Sequence, residues 1–226
     1  MPRRLRVATG GLVYHVLNRA VGRARIFEKP EDYAAFERVL RASFDWLPMR
    51  LLAYCLLPNH WHLVVWPRRD GDLSEWMRWL TMTHTQRWHA HYHTAGTGPL
   101  YQGRFKSFPI EEDEHLLTIC RYVERNALRA KLAARAEAWP WCSLWQCQQR
   151  QPVDWLAAWP VPCPKGWLKY VNEAQSEAEL AAVRESVRRG RPFGDVAWQR
   201  RTARRLGLES TLRPRGRPRK PQSQES

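Results

Sequence analysis

Apolar and polar positions alternate with two different periods along the first 136 residues, and the changes of period mark the elements. Residues 11–21 (GLVYHVLNRAV) follow the period of two expected of a strand. Pro30-Glu31-Asp32 opens a helix, with acidic residues in its first turn and Tyr33, Phe36, Val39, Leu40 and Phe44 at helical spacing. Residues 49–57 and 60–66 are two apolar runs joined by a Pro58-Asn59 turn, the pattern of a hairpin. An amphipathic helix from Asp72 to about His91 carries Leu73, Trp76, Met77 and Leu80. After a Gly96–Gly98 loop, residues 100–110 predict a further strand. Residues 111–114 (EEDE) then cap a helix that runs to about Ala136. The order β-α-β-β-α-β-α predicts an α+β sandwich of ferredoxin-like type on an antiparallel sheet.

Beyond residue 136 the pattern changes. Trp139-Pro140-Trp141, Trp145, Trp155, Trp159-Pro160, Pro162 and Pro164 mark an irregular extension, residues 137–183, expected to pack on the first domain. Residues 176–208 have helical spacing, and a basic helical segment spans 184–212. From 213 to 226 the chain is mostly Arg, Pro, Gly and Ser, a composition that predicts no fixed structure.

Charge narrows the class of partner. The 37 Lys and Arg outnumber 22 Asp and Glu, giving +15 and a pI near 10.3. Residues 1–135 hold 21 basic against 13 acidic side chains, 136–183 hold 3 against 5, and 184–220 hold 13 against 3. Two basic segments thus flank a near-neutral one, which points to a polyanion and so to nucleic acid or an anionic surface. No apolar run approaches the ~20 residues of a membrane span. The basic start lacks a signal-peptide core, and five cysteines suggest no disulfide framework. A soluble, cytoplasmic protein that binds nucleic acid is expected.

Two motifs carry candidate chemistry. His60-Trp61-His62 begins a strand, so the imidazoles project to one side and Trp61 to the other. Two neutral imidazoles on one face are half of a divalent-metal site, although two polar residues on a solvent face share the spacing. His15 lies on the first strand, where it either supports that site or is satisfied in the core. On the last helix of the sandwich, Tyr122 and Asn126 stand at i and i+4, while Arg121, Arg125 and Arg129 form a row expected to be a cationic ridge for phosphates. A tyrosine is a covalent nucleophile once a metal or base assists it, and otherwise a buried residue like its six counterparts.

Pro58-Asn59-His60-Trp61-His62-Leu63, Gly103-Arg104-Phe105-Lys106-Ser107 and the run from Tyr122 to Ala130 (YVERNALRA) together closely resemble the single-tyrosine HUH transposases. Within that group they are similar to the REP-associated tyrosine transposases, over roughly residues 12–136. The resemblance implies that His60 and His62 ligate Mg²⁺ or Mn²⁺ and that Tyr122 is the nucleophile. Asn126 matches a polar position that completes the metal shell, held by Gln in the insertion-sequence enzymes. It implies cleavage and rejoining of single-stranded DNA at REP hairpins through a 5′-phosphotyrosine, by a monomer or homodimer. A silent DNA-binding regulator and a phosphodiesterase that uses water are the alternatives. Arg104 and Lys106, alternating on the predicted strand, are candidate contacts to the DNA backbone.

The tail 214–220 (PRGRPRK) resembles an AT-hook, in which Arg215 and Arg217 would lie in the minor groove of AT-rich duplex; a basic tail making plain phosphate contacts is the alternative. Either way, deleting residues 213–226 is expected to weaken DNA binding. For every phosphate that the tail neutralises, its removal would take about 0.9 from the slope of log affinity against log salt. Filter binding at a series of salt concentrations checks this, and an unchanged slope would show the tail idle.

Overall fold

The structure is a computed structural model that describes residues 8–149 and 153–213. In chain order, β1 (Val13–Arg19), α1 (Pro30–Trp46), β2 (Arg50–Leu57), β3 (His60–Trp66), α2 (Asp72–Tyr92), β4 (Lys106–Ile110) and α3 (Glu114–Glu124) reproduce the predicted β-α-β-β-α-β-α sequence. Then come α4 (Asn126–Arg129), α5 (Ser143–Cys147), α6 (Trp167–Asn172), α7 (Glu177–Arg189), α8 (Val196–Arg205) and α9 (Glu209–Leu212). The four strands form one sheet in the order β2-β3-β1-β4, antiparallel throughout. Among the described residues no helix is long and apolar enough to cross a membrane. Arg215 and Arg217 lie outside the described residues.

Both faces of the sheet are covered, which is why β2 is apolar almost without interruption. Helices α1 and α2 pack on Tyr14, Val16, Tyr54, Leu56, Trp61, Leu63 and Val65. Helix α3 and the C-terminal segment pack on Val13, Ala53, Cys55, Leu57, Val64, Phe108 and Ile110.

Both sheet edges are closed by the C-terminal segment. Along β2, Leu56 N–H donates to Trp141 O, Ala157 N–H to Leu51 O, and the indoles of Trp139 and Trp159 donate to Leu56 O and Leu52 O. Along β4, Phe193 N–H donates to Pro109 O and accepts at its carbonyl from Glu111 N–H. An open edge would leave these backbone groups unpaired. The tryptophans of the irregular segment therefore serve as edge donors as well as apolar mass.

Three boundaries depart from the sequence pattern. Strand β4 starts at Lys106, so Arg104 sits in the preceding loop and does not alternate with Lys106 on a strand. The last helix of the sandwich breaks at Arg125, and Lys131 (φ +57°) turns the chain away after α4. The long helix expected over 176–208 is cut by Gly190, whose left-handed φ of +69° caps α7.

The row of arginines on α3 is a further correction. Arg121 is buried, donates to Glu173 O (2.9 Å) and Ala174 O (3.3 Å), pairs with Glu179 at 3.5 Å and lies over the Tyr170 ring. Arg125 donates to Val171 O and Asn172 O. These two side chains end the α6 helix and the turn after it, where free carbonyls collect, so they hold the extension and form no open ridge. Helical spacing shows which residues share a face, but not what covers that face. Arg121→Ala is expected to lower the unfolding free energy by about 1–2 kcal/mol, since it removes the donor to two partly buried carbonyls, the partner of one carboxylate and the packing on Tyr170. Urea denaturation would measure it; an unchanged midpoint with weakened DNA binding would restore the phosphate-contact reading.

Candidate active site

The register of β3 sets its neighbours. His62 lies opposite Leu17 on β1 and Cys55 on β2, and His60 opposite Arg19 and Leu57. Both imidazoles face α3. Trp61 faces the other way, fully buried, with its indole N–H donating to the Tyr101 hydroxyl at 3.0 Å, itself 2.6 Å from His84 Nδ1. The strand is thus pinned from behind by a tryptophan while it presents two histidines in front.

The ring centroids of His60 and His62 are 5.1 Å apart. Asn59 donates its amide to Arg23 O, which assigns its Oδ1 as the atom 2.6 Å from His60 Nδ1. An amide oxygen only accepts, so the proton of His60 is on Nδ1 and the lone pair on Nε2. His62 Nδ1 is 2.9 Å from Nε2 of His15, which occupies the centre of β1. Burial, followed by the charges of Arg19 and Arg129, lowers His60 to about 4. Burial and the adjacent His15 and His60 hold His62 well below the ordinary histidine value, and burial lowers His15 to about 3. All three rings are neutral at physiological pH.

Helix α3 delivers Tyr122 to the same place. Its ring stands nearly perpendicular to His62 (86°) with centroids 5.8 Å apart, and 6.1 Å from His15. The Arg129 guanidinium lies over the Tyr122 ring, 4.1 Å from its centroid, and donates to Asn126 Oδ1 at 2.9 Å. Burial lowers Arg129 from its usual value, partly offset by Tyr122. Of the three arginines in the row, Arg129 alone joins the site. His60, His62, Tyr122 and Asn126 are brought together, the last through Arg129.

The donor set suits a divalent cation. Two neutral imidazoles each offer one nitrogen lone pair to a cation, whereas Asn126 Nδ2, a donor and not a ligand, is buried with no partner among the described residues. The oxygen of that amide, the atom a metal would take, is held by Arg129. A separate cluster of Glu111, Asp113 and His115 sits at the other end of the sheet. Ile110 pairs with Val13, whereas His60 pairs with Arg19, which is about 20 Å along β1. Glu111 already accepts from Asp195 N–H, and Asp113 caps α3 through His115 N–H.

A cleft of about 630 Å³ opens beside the site between β1, the loop before β4 and the end of α7. Arg19, Arg104, Lys106, Arg188 and Arg189 line it. Lys106 pairs with Leu17, the residue that also pairs with His62, so it shares the face of the histidines. Arg19, Arg188 and His15 were not assigned from the sequence; only a His in an otherwise apolar strand, and an Arg closing it, hinted at two of them.

No curated protein matches the chain. Among solved structures it is similar in fold to a REP-associated tyrosine transposase bound to a REP hairpin, at 17% identity and TM-score 0.56, covering 78% of this chain and 100% of that one. A putative transposase from Deinococcus radiodurans R1 aligns at 17% identity and TM-score 0.39 over 54% of this chain and 96% of its own. The family described as "Transposase IS200 like" matches residues 8–126, a span that runs from the approach to β1 through both histidines and Tyr122 to Asn126. That span is more than half of the 226 residues, and the chain belongs to the IS200-like transposase family.

Proposed function

We propose that this transposase cleaves and rejoins single-stranded DNA beside REP-type hairpins, with Tyr122 as nucleophile and Mg²⁺ or Mn²⁺ held by His60 and His62. The observation that carries the reading is the approach of Tyr122, on α3, to the His62 ring at 5.8 Å across the sheet face. The hairpin bound to the structural relative supports the class of DNA.

Each residue has a part. Tyr122 Oη attacks the scissile phosphorus and loses its proton; the bond from phosphorus to the 3′ oxygen breaks, and that oxygen leaves as a hydroxyl after taking up a proton. The 5′-phosphate remains on Tyr122, so the bond energy is kept and the reverse attack by a 3′-hydroxyl reseals a strand. Arg129, stacked on the ring, holds it in place and sets a positive charge beside the site of attack. When bound, the cation supplies Lewis-acid polarisation of a non-bridging phosphate oxygen. Asn126 would be a third residue to hold the cation, through the amide oxygen that here accepts from Arg129. Lys106, Arg104, Arg19 and Arg188 offer charge along the cleft to the DNA backbone, and the 213–226 tail adds contacts to flanking duplex.

With labelled REP-like hairpin DNA and Mn²⁺, the protein is expected to form an adduct that survives SDS, and Tyr122→Phe to form none. Cleavage that persists in Tyr122→Phe would replace the covalent mechanism with attack by water. Binding without cleavage under either metal would mark a silent DNA-binding protein.

The depressed histidines set the pH range of metal binding. A lowered pKa keeps an imidazole neutral, and so able to ligate, until the pH falls near the lowered value. Between pH 7.5 and 5.5 the affinity for Mn²⁺ is therefore expected to change less than about threefold, whereas two histidines of ordinary pKa would lose about 100-fold at pH 5.5. Isothermal titration at both pH values decides it; a loss near 100-fold would show that the rings are solvated.

A further inference from the structure

A metal takes His62 only through a nitrogen that carries a lone pair. Its Nε2 has one only if the ring proton sits on Nδ1, and a free imidazole prefers the opposite tautomer, with the proton on Nε2. Something must therefore hold the proton on Nδ1. For His60 that partner is Asn59 Oδ1. For His62 the atom at hydrogen-bonding distance is Nε2 of His15, at 2.9 Å.

The geometry of this contact is specific. The two ring planes are parallel within 8°, and their centroids, 5.0 Å apart, leave the facing nitrogens at 2.9 Å. His15 is fully buried, and among the described residues its one hydrogen bond is to His62, with its Nδ1 left unpartnered. The rings that close on it are otherwise Phe108 from β4 and Tyr122 from α3. A leucine would fill that space without the cost of desolvating an imidazole. His15 stands one pair along β1 from Leu17, the residue opposite His62, so the sheet itself fixes the diagonal between the two rings.

We propose that His15 is a positioning residue for the metal site: its Nε2 accepts the Nδ1–H of His62, which turns the Nε2 lone pair of His62 toward the cation. The inference rests on His62 being a ligand, as proposed above. Its chemical character differs from the usual arrangement, in which a carboxylate or carbonyl supports the ligating histidine. A neutral imidazole takes that proton without adding negative charge, so the cation keeps its full charge for the phosphate; the proton of His15 itself then sits on Nδ1, which has no partner among the described residues.

The test uses the full chain. In metal-free wild-type protein, ¹⁵N imidazole spectra are expected to show His62 with its proton on Nδ1, and His15→Leu to shift it toward Nε2–H. Mn²⁺ titration of DNA-free protein should show His15→Leu weaker by about 10- to 100-fold. His15→Gln, whose Oε1 can accept the same proton, should recover most of that affinity. Thermal unfolding of His15→Leu at or above the wild-type temperature would separate this role from a structural one. The inference is overturned if wild-type His62 carries its proton on Nε2, or if His15→Leu binds Mn²⁺ as wild type does. It is also overturned if Gln restores no more than Leu. Should wild-type protein take up no Mn²⁺, the ligand reading falls, while the tautomer spectra still decide the contact.

Discussion

The pairing of β3 between β1 and β2 is the constraint on which the site depends. Side chains on a strand alternate between faces, so this register sends His60 and His62 to α3 and Trp61 to α1 and α2. A slip of one residue would bury the two histidines in the cluster that holds Phe36, Leu40 and Met77 and turn the largest apolar side chain of the motif toward α3. That exchange is strongly disfavoured, because Trp61 is fully buried and its N–H has a single fitted acceptor in Tyr101. The precision of the front face is therefore secured from the back of the sheet, by residues that touch neither metal nor substrate.

The second half of the site is fixed from elsewhere. Tyr122 is placed by α3, and α3 is held against the sheet by the C-terminal segment. Arg121 and Arg125 clasp the carbonyls that follow α6. Between Tyr122 and Asn126, Glu124 is fully enclosed and accepts from Ser143 Oγ and from the indole of Trp167, each at 2.7 Å. Burial raises that carboxyl to about 7, and the two donors restrain the rise. The same segment closes both edges of the sheet. The tryptophan- and proline-rich stretch thus links β2, the neighbour of the strand that carries the histidines, to the helix that carries the tyrosine.

How much of this was legible follows from where the determining contacts lie. Strand β3 is found at its predicted ends because Pro58-Asn59 and the alternation of His-Trp-His are local signals. The helices α1 and α2 likewise start at the predicted residues, where Pro30 and the acidic residues mark the first turns. What failed depended on partners far along the chain. Arg121 and Arg125 had the spacing of a ridge, but their destination lies some 46 to 53 residues away. The start of β4 follows an interruption at residues 102–105, although Ala20 beyond β1 still pairs with Tyr101 and Arg19 O still accepts from Gln102 N–H, and the apolar run from residue 100 does not encode that break. The contact between His15 and His62 joins residues 47 apart and exists only through the β1–β3 register; no motif spans it.

The electrostatics of the site combine these levels. The atoms proposed to face a metal are neutral: two imidazoles and an amide, with a third imidazole behind them. Among the described residues no carboxylate hydrogen-bonds or ion-pairs with His60, His62, Tyr122 or Asn126. A carboxylate-rich site binds a cation more tightly but cancels its charge, which is the quantity a phosphodiester needs to feel. Here the positive charge of the metal would be joined by Arg129 on the tyrosine ring and by Lys106 and Arg19 at the cleft. Such positive charges repel one another, and Arg129 adds to the depression of both histidines that burial mainly causes, so neither ring contributes a further charge. The polyanion completes the balance. On the proposed reading DNA and metal would bind with mutual support, each relieving the field that opposes the other, and the basic surplus of the sequence would serve the chemistry as much as affinity.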